Sequence, residues 1–158
     1  MKQLDRLGYS FKKNNMSNFK KIKIYNYKVI HKLKGKIFKY FSSKDKNFLG
    51  FGETYVSSIS SKETRAWKYH SKAHMNLFVI KGKIKFAFYC PVVKKIKTLK
   101  SDSKKYQRIN VPPKIWYGFK NLSNTESLIM NITNLIHKKK EIKNKPLSFI
   151  KFKWDQKN

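Results

Sequence analysis

Short β-prone runs recur roughly every 8 to 12 residues along this chain, and this spacing constrains its fold more than any other feature. The runs are rich in Ile, Val, Tyr and Phe, and polar or proline-containing breaks such as Pro112-Pro113 and residues 121–125 separate them. No apolar period of 3.6 residues persists for longer than about two helical turns. The pattern predicts an all-β sandwich or barrel, of which a jelly-roll barrel is the natural form, with a short helix or loop at residues 137–147.

The sequence AWKYHSKAHMNLFVIKG, residues 66–82, is the stretch around which the other strands can be arranged. Residues 75–80 are apolar, Gly82 belongs to a turn-like Lys-Gly pair, and residues 83–89 alternate between lysine and apolar side chains. An apolar run, a glycine turn and a two-residue period predict a β-hairpin in which Lys85 faces outward. The same alternation directs three side chains into the core: Ile84, Phe86 and Phe88.

The length of 158 residues and a hydrophobic content of 40% predict a single folded domain with its own core. Residues 1–20 are polar and predict a flexible N-terminal arm, so we assign residues 21–158 to the domain. The sequence has neither the apolar centre of a signal peptide nor the ~20 consecutive apolar residues of a membrane-spanning helix. The single cysteine, Cys90, suits a reducing compartment, and we expect a cytoplasmic protein.

The formal net charge of +30 favours an anionic partner, either nucleic acid or an anionic substrate. Nearly all of this charge comes from lysines that are scattered through every segment, because arginine occurs only as Arg6, Arg65 and Arg108. Lys, Asn, Ile and Tyr are abundant together, which is typical of an AT-rich coding sequence. We therefore give the charge little weight as evidence for nucleic-acid binding, although it would attract an anionic substrate.

Two blocks, KYHSKAHMNLFVIKG and PPKIWYGFKN, have the spacing of the paired cupin motifs HxHxxxxExxxxxxG and PxGxxHxxxN. Only His70 keeps a metal-binding side chain among the four ligand positions. Lys68, Met75 and Tyr117 occupy the other three and are poor ligands for Zn, Fe or Mn. We therefore expect no metal.

The string RAWKYH, followed by NLFVIKGKIKFAFY and then VPPKIWYGFKNLSNTESLIMNITNLIH, resembles a metal-free group of cupins, the dTDP-4-dehydrorhamnose 3,5-epimerase family. The likeness extends over roughly residues 51–137 and is strongest for its branch with paired Trp-Lys-x-His and VPP-x-x-W-x-x-F blocks. It implies a dimeric cupin-type jelly-roll β-barrel whose mouth binds a nucleotide-linked 4-keto-6-deoxy sugar. It further implies cofactor-free proton exchange next to the ketone, in the synthesis of surface polysaccharides such as lipopolysaccharide.

The resemblance also implies roles for individual residues. Arg65 matches an arginine that contacts the phosphate or nucleotide end, and Lys68 stands at the position of the catalytic histidine. His70, on the same strand face, could act as the base instead. The family's tyrosine donor has no counterpart in the strand LIMNIT, and Tyr117 could replace it. The complete candidate site has the catalytic residues Lys68, His70 and Tyr117 and the substrate-binding residues Arg65, Asn76, His74 and Trp116.

Two other functions are compatible with these residues. One is a sugar-nucleotide-binding cupin without catalysis, which the missing histidine and tyrosine favour. The other is a basic nucleic-acid-binding β-barrel, which only the charge favours and the lack of an arginine cluster disfavours. We expect the sugar-nucleotide epimerase or isomerase, with no membrane partner. We also expect a homodimer, since the aromatic residues at 22–41 exceed what one small barrel needs.

Overall fold

The computed structural model describes residues 19–156, and their regular structure is almost entirely β-strand. The described strands are β1 Lys23–Asn26, β2 Ile30–Lys32, β3 Gly35–Ile37, β4 Glu53–Ile59, β5 Thr64–His70, β6 Met75–Lys81, β7 Lys83–Cys90, β8 Lys95–Asp102, β9 Gln107–Val111, β10 Trp116–Asn121, β11 Ser127–Thr133 and β12 Ile142–Asn144. Single 3-10 turns at Lys139–Glu141 and Leu147–Phe149 flank β12. The all-β class is confirmed. The arm expected at residues 1–20 lies, except for its last two residues, outside the described part of the chain.

Two antiparallel five-stranded sheets face each other and form the jelly roll. Sheet I has the strand order β1-β9-β6-β11-β4, and sheet II has the order β12-β5-β10-β7-β8. The separate hairpin β2-β3 lies outside both sheets. Because consecutive strands often belong to different sheets, the chain crosses repeatedly between the two layers, as a jelly roll requires.

The main core fills the space between the sheets. Alternate residues of each strand point inward, since successive side chains of a strand leave opposite faces. Burial of one such side chain stabilises the fold by roughly 1.5–3 kcal/mol. Three strands contribute many of its buried side chains: Met75, Leu77 and Val79 of β6 and Ile109 and Val111 of β9 from sheet I, and Ile84, Phe86 and Phe88 of β7 from sheet II.

The β-hairpin predicted over residues 75–89 is wrong, although both of its strands exist. Strand β6 pairs with β9 and β11 in sheet I, whereas β7 pairs with β8 and β10 in sheet II. Only Gly82 lies between β6 and β7, and one residue is too few for a two-residue hairpin turn. Gly82 has φ +80°, and a side chain there would overlap Ser127. The two strands therefore face each other across the core instead of lying side by side.

The surroundings of Lys85 also differ from what its outward position in the sequence pattern indicates. It does lie on the outer face of β7, but its residue exposure is only 1% because the end of the chain covers that face of sheet II. Its ammonium group donates hydrogen bonds to the carbonyl oxygens of Trp154 (3.2 Å) and Gln156 (2.9 Å). Residues 149–154, for which the sequence allowed a strand or a packing segment, therefore pack as an irregular cover over the sheet.

The segment between β1 and β4 covers the outer face of sheet I in a similar way. Phe78 is fully buried on that face beneath the rings of Tyr27 and Tyr40. Arg108 is buried there as well, with its guanidinium 4.3 Å from the Tyr25 ring centroid and 4.5 Å from that of Phe41. Much of the aromatic surplus at residues 22–41 is thus used within one chain, so it does not argue for a dimer.

Across residues 19–156, no helix has the length and apolar character needed to span a membrane.

Candidate active site

A cavity of about 360 Å³ lies between the two sheets, open at one side of the barrel. Its walls mix aromatic and aliphatic side chains with a few polar groups, which is typical of a small-molecule site. Sheet I contributes Tyr55, Ser57, Leu77, Ile129 and Asn131, sheet II contributes Thr64, Arg65, Lys68, Tyr117 and Phe119, and the segment after β12 contributes Lys145 and Leu147.

Strand β5 brings three of the predicted site residues to the interior face. Lys68 and His70 are two residues apart, so a regular strand places them on one face. Arg65 is three residues before Lys68 and would face outward in a regular strand. It faces inward because the pairing of β5 with β10 shifts register: Lys68 lies opposite Tyr117, and Arg65 lies opposite Phe119. The extra residue of β5 is a β-bulge.

The bulge depends on Gly118, which lies between those two pairs. A side chain at Gly118 would overlap the Ala66 side chain and come within 3.1 Å of the Arg65 carbonyl oxygen. The peptide bond between Ala66 and Trp67 is cis. The Trp67 side chain points from the bulge to the outer face and is fully buried there, so the side chains of Arg65 and Lys68 occupy the inner face.

His70 lies at the centre of a hydrogen-bonded chain of three side chains, hereafter the relay. Its Nδ1 is 2.7 Å from a carboxylate oxygen of Glu141, and its Nε2 is 3.3 Å from the hydroxyl oxygen of Tyr117. A carboxylate only accepts hydrogen bonds, so Nδ1 carries the hydrogen and Nε2 accepts from the Tyr117 hydroxyl. The relay therefore runs from Glu141 through His70 to a phenol that lines the cavity.

Glu141 reaches His70 because β12 pairs with β5, opposite His70 itself. Its second carboxylate oxygen accepts hydrogen bonds of 2.9 Å from the backbone N–H groups of Lys72 and Ala73. The Ser71 backbone N–H donates to the Glu141 carbonyl oxygen at 3.0 Å. Three donors to the carboxylate and one to the backbone carbonyl oxygen thus hold Glu141 in one orientation, as is needed to orient a catalytic imidazole.

Burial and hydrogen bonding set the charges of the relay. Burial raises the pKa of Tyr117 well above 10.0, and burial lowers the pKa of His70 although Glu141 opposes the change. Burial also tends to raise the pKa of Glu141, but the hydrogen bonds from Ala73, Lys72 and His70 outweigh it, and the net pKa is lowered. At neutral pH the relay therefore consists of a carboxylate, a neutral imidazole and a neutral phenol.

The opposite wall of the cavity carries a second phenol. Tyr55 of β4 and Asn131 of β11 are direct partners in sheet I, and the Asn131 amide donates a 2.8 Å hydrogen bond to the Tyr55 hydroxyl oxygen. The hydroxyl hydrogen of Tyr55 is then free to point into the cavity. Within the described chain the Asn131 carbonyl oxygen is buried without a hydrogen-bond donor, so it can accept one from a ligand.

Cationic groups lie at the mouth and on the wall of the cavity. Arg65 is exposed, with its guanidinium 6.0 Å from the Phe119 ring centroid, and Lys145 lines the rim. Lys68 is half-buried, and burial followed by repulsion from Arg65 lowers its pKa. This distribution fits a ligand with an anionic end at the mouth and a neutral, polar end inside.

The structure does not bring three of the predicted substrate-binding residues to this cavity. Asn76 lies between the core residues of β6 and so faces outward, where it accepts hydrogen bonds from Arg108 and Asn110. Trp116 faces the outer cover, 4.9 Å from the Phe149 ring. His74 lies in the turn before β6, and its backbone N–H donates to the Asn134 side chain. Because successive side chains of a strand leave opposite faces, Asn76 and Trp116 lie on the outer faces of their sheets.

The sequence interpretation also missed three groups: Tyr55, Asn131 and Glu141. Tyr55 lies four residues before the apolar Ile59, so the two-residue period of a strand could have indicated that both face inward. Nothing local indicates that residue 141 returns to β5. No cluster of three His, Cys, Asp or Glu side chains in residues 19–156 could hold a metal ion.

Solved structures with this fold include a dTDP-sugar isomerase from Desulfovibrio desulfuricans G20, which is 25% identical and has a TM-score of 0.79 over 87% of this chain and 93% of that one. A dTDP-4-dehydrorhamnose 3,5-epimerase from Bacillus anthracis strain Ames is 14% identical, with a TM-score of 0.75 over 89% of each chain. The sugar 3,4-ketoisomerase QdtA from Thermoanaerobacterium thermosaccharolyticum is 15% identical, with a TM-score of 0.69 over 82% of this chain and 90% of that one.

No family model and no curated protein matches the chain. The structural resemblance is nevertheless confirmed, because several enzymes of this kind share the arrangement of strands over most of their length. The chain has the cupin-type jelly-roll fold of dTDP-sugar isomerases and dTDP-4-dehydrorhamnose 3,5-epimerases.

Proposed function

We propose that this protein is an isomerase or epimerase that moves protons next to the ketone of a nucleotide-linked 4-keto-6-deoxy sugar. The observation that carries the proposal is the relay of Glu141, His70 and Tyr117, which ends in the cavity beside Lys68. Removal of a proton next to a ketone needs a base on one side, a donor on the other and a group that interacts with the ketone. The cavity supplies all three.

The relay acts as the base in one concerted movement. As the proton leaves carbon for the Tyr117 oxygen, the Tyr117 hydroxyl proton passes to Nε2 of His70. The resulting imidazolium is stabilised by the Glu141 carboxylate, in the same way that a buried carboxylate supports the histidine of a serine protease. Tyr117 therefore never carries a full negative charge, and its raised pKa does not prevent the transfer.

Tyr55 is the donor on the other side. It belongs to sheet I, whereas Tyr117 belongs to sheet II, so the two phenols approach a ligand in the cavity from opposite walls. The hydrogen bond from Asn131 orients the Tyr55 oxygen and leaves its proton free for the sugar. Lys68, beside Tyr117, is placed to interact with the ketone.

The outer part of the site fits the nucleotide. Arg65 and Lys145 lie where a diphosphate would leave the cavity, and arginine is well suited to bind phosphate oxygens. Structures of this fold have been solved with TDP bound, in the 3,4-ketoisomerase QdtA and in the Bacillus anthracis epimerase. A dTDP-linked sugar of surface polysaccharide synthesis is therefore the proposed substrate class.

We also propose that the protein acts in the cytoplasm as a homodimer built from one domain, residues 21–158. Phe51 and Ile136 are 65% and 67% exposed and line one concave surface together with Leu135. Exposed apolar residues that are contiguous often mark a contact with another chain. Light scattering at micromolar concentration tests this assembly, and a monomer would contradict it.

A protein that binds sugar nucleotides without catalysis is the second candidate. Lys68 replaces the family's histidine, and His70 and Tyr117 already satisfy each other by a hydrogen bond. A thermal-shift panel of nucleotide sugars, followed by NMR of the recovered sugar, separates the candidates, because a bound ligand raises the melting temperature by mass action. We expect stabilisation by a dTDP-linked 4-keto-6-deoxy sugar and its conversion into an isomer. Stabilisation without conversion would favour the binding protein. Stabilisation by oligonucleotides alone would favour a nucleic-acid-binding β-barrel.

A further inference from the structure

Lys68 lies in an unusual setting for a lysine in so basic a protein. Its side chain is half-buried in the cavity wall, and within residues 19–156 its ammonium group forms neither a hydrogen bond nor an ion pair. The charged neighbour that acts on it is Arg65, which has the same sign. The Glu141 carboxylate is engaged elsewhere, since three donors already bind it: His70 and the backbone N–H groups of Lys72 and Ala73.

This setting favours the uncharged amine. An ammonium group that is withdrawn from water without an anionic partner is unfavourable, and a neighbouring cation makes it more so. Both effects lower the pKa of Lys68. A neutral lysine amine in a dry pocket is a nucleophile toward carbonyl carbon, and desolvation or an adjacent cation is how such lysines are activated.

We propose that Lys68 forms a covalent imine with the ketone carbon of the substrate. This inference rests on the proposed function, because it requires a keto sugar in the cavity. It goes beyond that function by replacing a hydrogen-bonded enolate with a covalent enamine as the intermediate. The geometry that supports it is the pairing of Lys68 directly opposite Tyr117 in sheet II, with both residues lining the same cavity.

The chemical steps balance with water and one proton from solvent. The Lys68 nitrogen bonds to the ketone carbon, the ketone oxygen takes one proton from the amine and one from solvent, and loss of this oxygen as water leaves a protonated imine. The solvent proton is returned when water later cleaves the imine. The neighbouring carbon then gives its proton to the Tyr117 oxygen, and the C–H electron pair forms a carbon–carbon double bond as the imine becomes an enamine. Reprotonation of the enamine restores the imine, and addition of water releases the isomerised ketone and the free amine.

The positive nitrogen explains why no strong base is needed. A protonated imine withdraws electrons from the adjacent C–H bond more strongly than a neutral ketone does. The neutral His70, whose pKa burial lowers, can then accept the relayed proton. Tyr55 on the opposite wall is placed to return a proton to the other face of the enamine.

Reductive trapping tests the imine directly. Wild-type protein is incubated with dTDP-4-keto-6-deoxyglucose and sodium cyanoborohydride, which reduces a protonated imine to a stable secondary amine. Mass spectrometry of the digested protein should find the sugar nucleotide on Lys68. dTDP-glucose, which has no ketone, should leave no adduct. The Lys83→Arg variant is the matched control, because Lys83 is exposed and lies outside the cavity, so its replacement should leave the adduct on Lys68 unchanged.

The Lys68→Arg variant separates covalent chemistry from charge. Arginine keeps a positive group at this position but forms no imine, so we expect deuterium exchange into the sugar to fall by on the order of a hundredfold or more. Exchange by wild-type protein with no trapped adduct, or exchange that persists in Lys68→Arg, would overturn the imine and leave the proposed function intact. Binding of the keto sugar with neither exchange nor adduct would overturn both.

Discussion

The imidazole Nδ1 of His70 lies 2.7 Å from a carboxylate oxygen of Glu141, although 71 positions separate the two residues in the chain. The pair forms because β12 returns to the edge of β5 and brings a 3-10 turn against the end of that strand. It converts an isolated histidine into an oriented base. The chain has only eight acidic residues, and this one lies beside the candidate catalytic histidine.

Replacing Glu141 by Gln should therefore remove activity without unfolding the protein. Glutamine has nearly the same shape but cannot stabilise an imidazolium, and its amide can reverse the tautomer of His70. We expect the rate constant for isomerisation to fall by about 10²- to 10⁴-fold, with substrate affinity nearly unchanged. Glu126→Gln is the matched control, because Glu126 forms an exposed ion pair with Lys81. A Glu141→Gln variant as active as wild type would exclude the relay.

The activity should depend on pH through His70. Burial lowers the pKa of His70 from 6.5, so the imidazole stays neutral at pH 7 and becomes protonated only at more acidic pH. A protonated His70 cannot accept the Tyr117 proton, and kcat should therefore fall as pH decreases below about 6.5. A decline of kcat that begins above pH 7 on the acidic side would contradict this assignment.

The same shift predicts the pH dependence of stability. Because the pKa of His70 is lower in the folded chain than its unfolded value of 6.5, the unfolded chain binds more protons just below that pH. The free energy of unfolding should therefore decrease as pH falls below 6.5. Burial, followed by repulsion from Lys21, also lowers the pKa of His74. In urea titrations, the free energy of unfolding of His70→Gln and of His74→Gln should each depend less on pH than that of wild type.

Replacing Tyr55 by Phe should separate the two sides of the reaction. Proton removal by the relay does not use Tyr55, so substrate protons should still exchange with solvent on that side. Return of a proton from the opposite wall does use it, and product formation should fall by on the order of 10²-fold. Tyr69→Phe, on the outer face of β5, should behave as wild type in both assays. Equal loss of exchange and product would show that Tyr55 has no separate role.

Arg65→Ala should weaken binding and leave the chemical step nearly unchanged. A charge-assisted hydrogen bond to phosphate contributes about 1.5 to 3 kcal/mol, which corresponds to a rise in Kd for dTDP of roughly tenfold to a hundredfold. Calorimetric titration with dTDP measures this change. Lys83→Ala, an exposed lysine outside the cavity, should bind dTDP as wild type does. An unchanged Kd for Arg65→Ala would remove Arg65 from the phosphate site.

The sequence predicted features that depend on local pattern. The recurring strands and their alternation predicted the all-β class, and Ile84, Phe86 and Phe88 do face the core. The partner of a strand is not a local property, and for this reason the hairpin of β6 and β7 was wrong. The cover over Lys85 was also missed, because a lysine at an outward position gives no sign that the distant end of the chain will bury it.

The candidate site likewise contains some residues that the local pattern predicts and others that it does not. Arg65, Lys68, His70 and Tyr117 come together because two neighbouring strands carry them. The two-residue spacing of Lys68 and His70 indicated a shared face, whereas Arg65 joins them only through the bulge. Glu141 and Tyr55 reach the site through long-range pairing with β5 and β11, which composition and periodicity do not encode. Asn76 was a natural candidate from its motif, but the two-residue period of β6 turns it away from the cavity.

Deuterium incorporation by wild-type protein is the most direct test of the central claim. The protein is incubated in D₂O with dTDP-4-keto-6-deoxyglucose, and proton NMR follows the signals of the carbons that flank the ketone. We predict loss of at least one of these signals at a rate that is proportional to enzyme concentration and that falls by about 10²-fold or more in His70→Ala and Tyr117→Phe. Wild-type protein that binds this compound and returns it without deuterium would contradict the account.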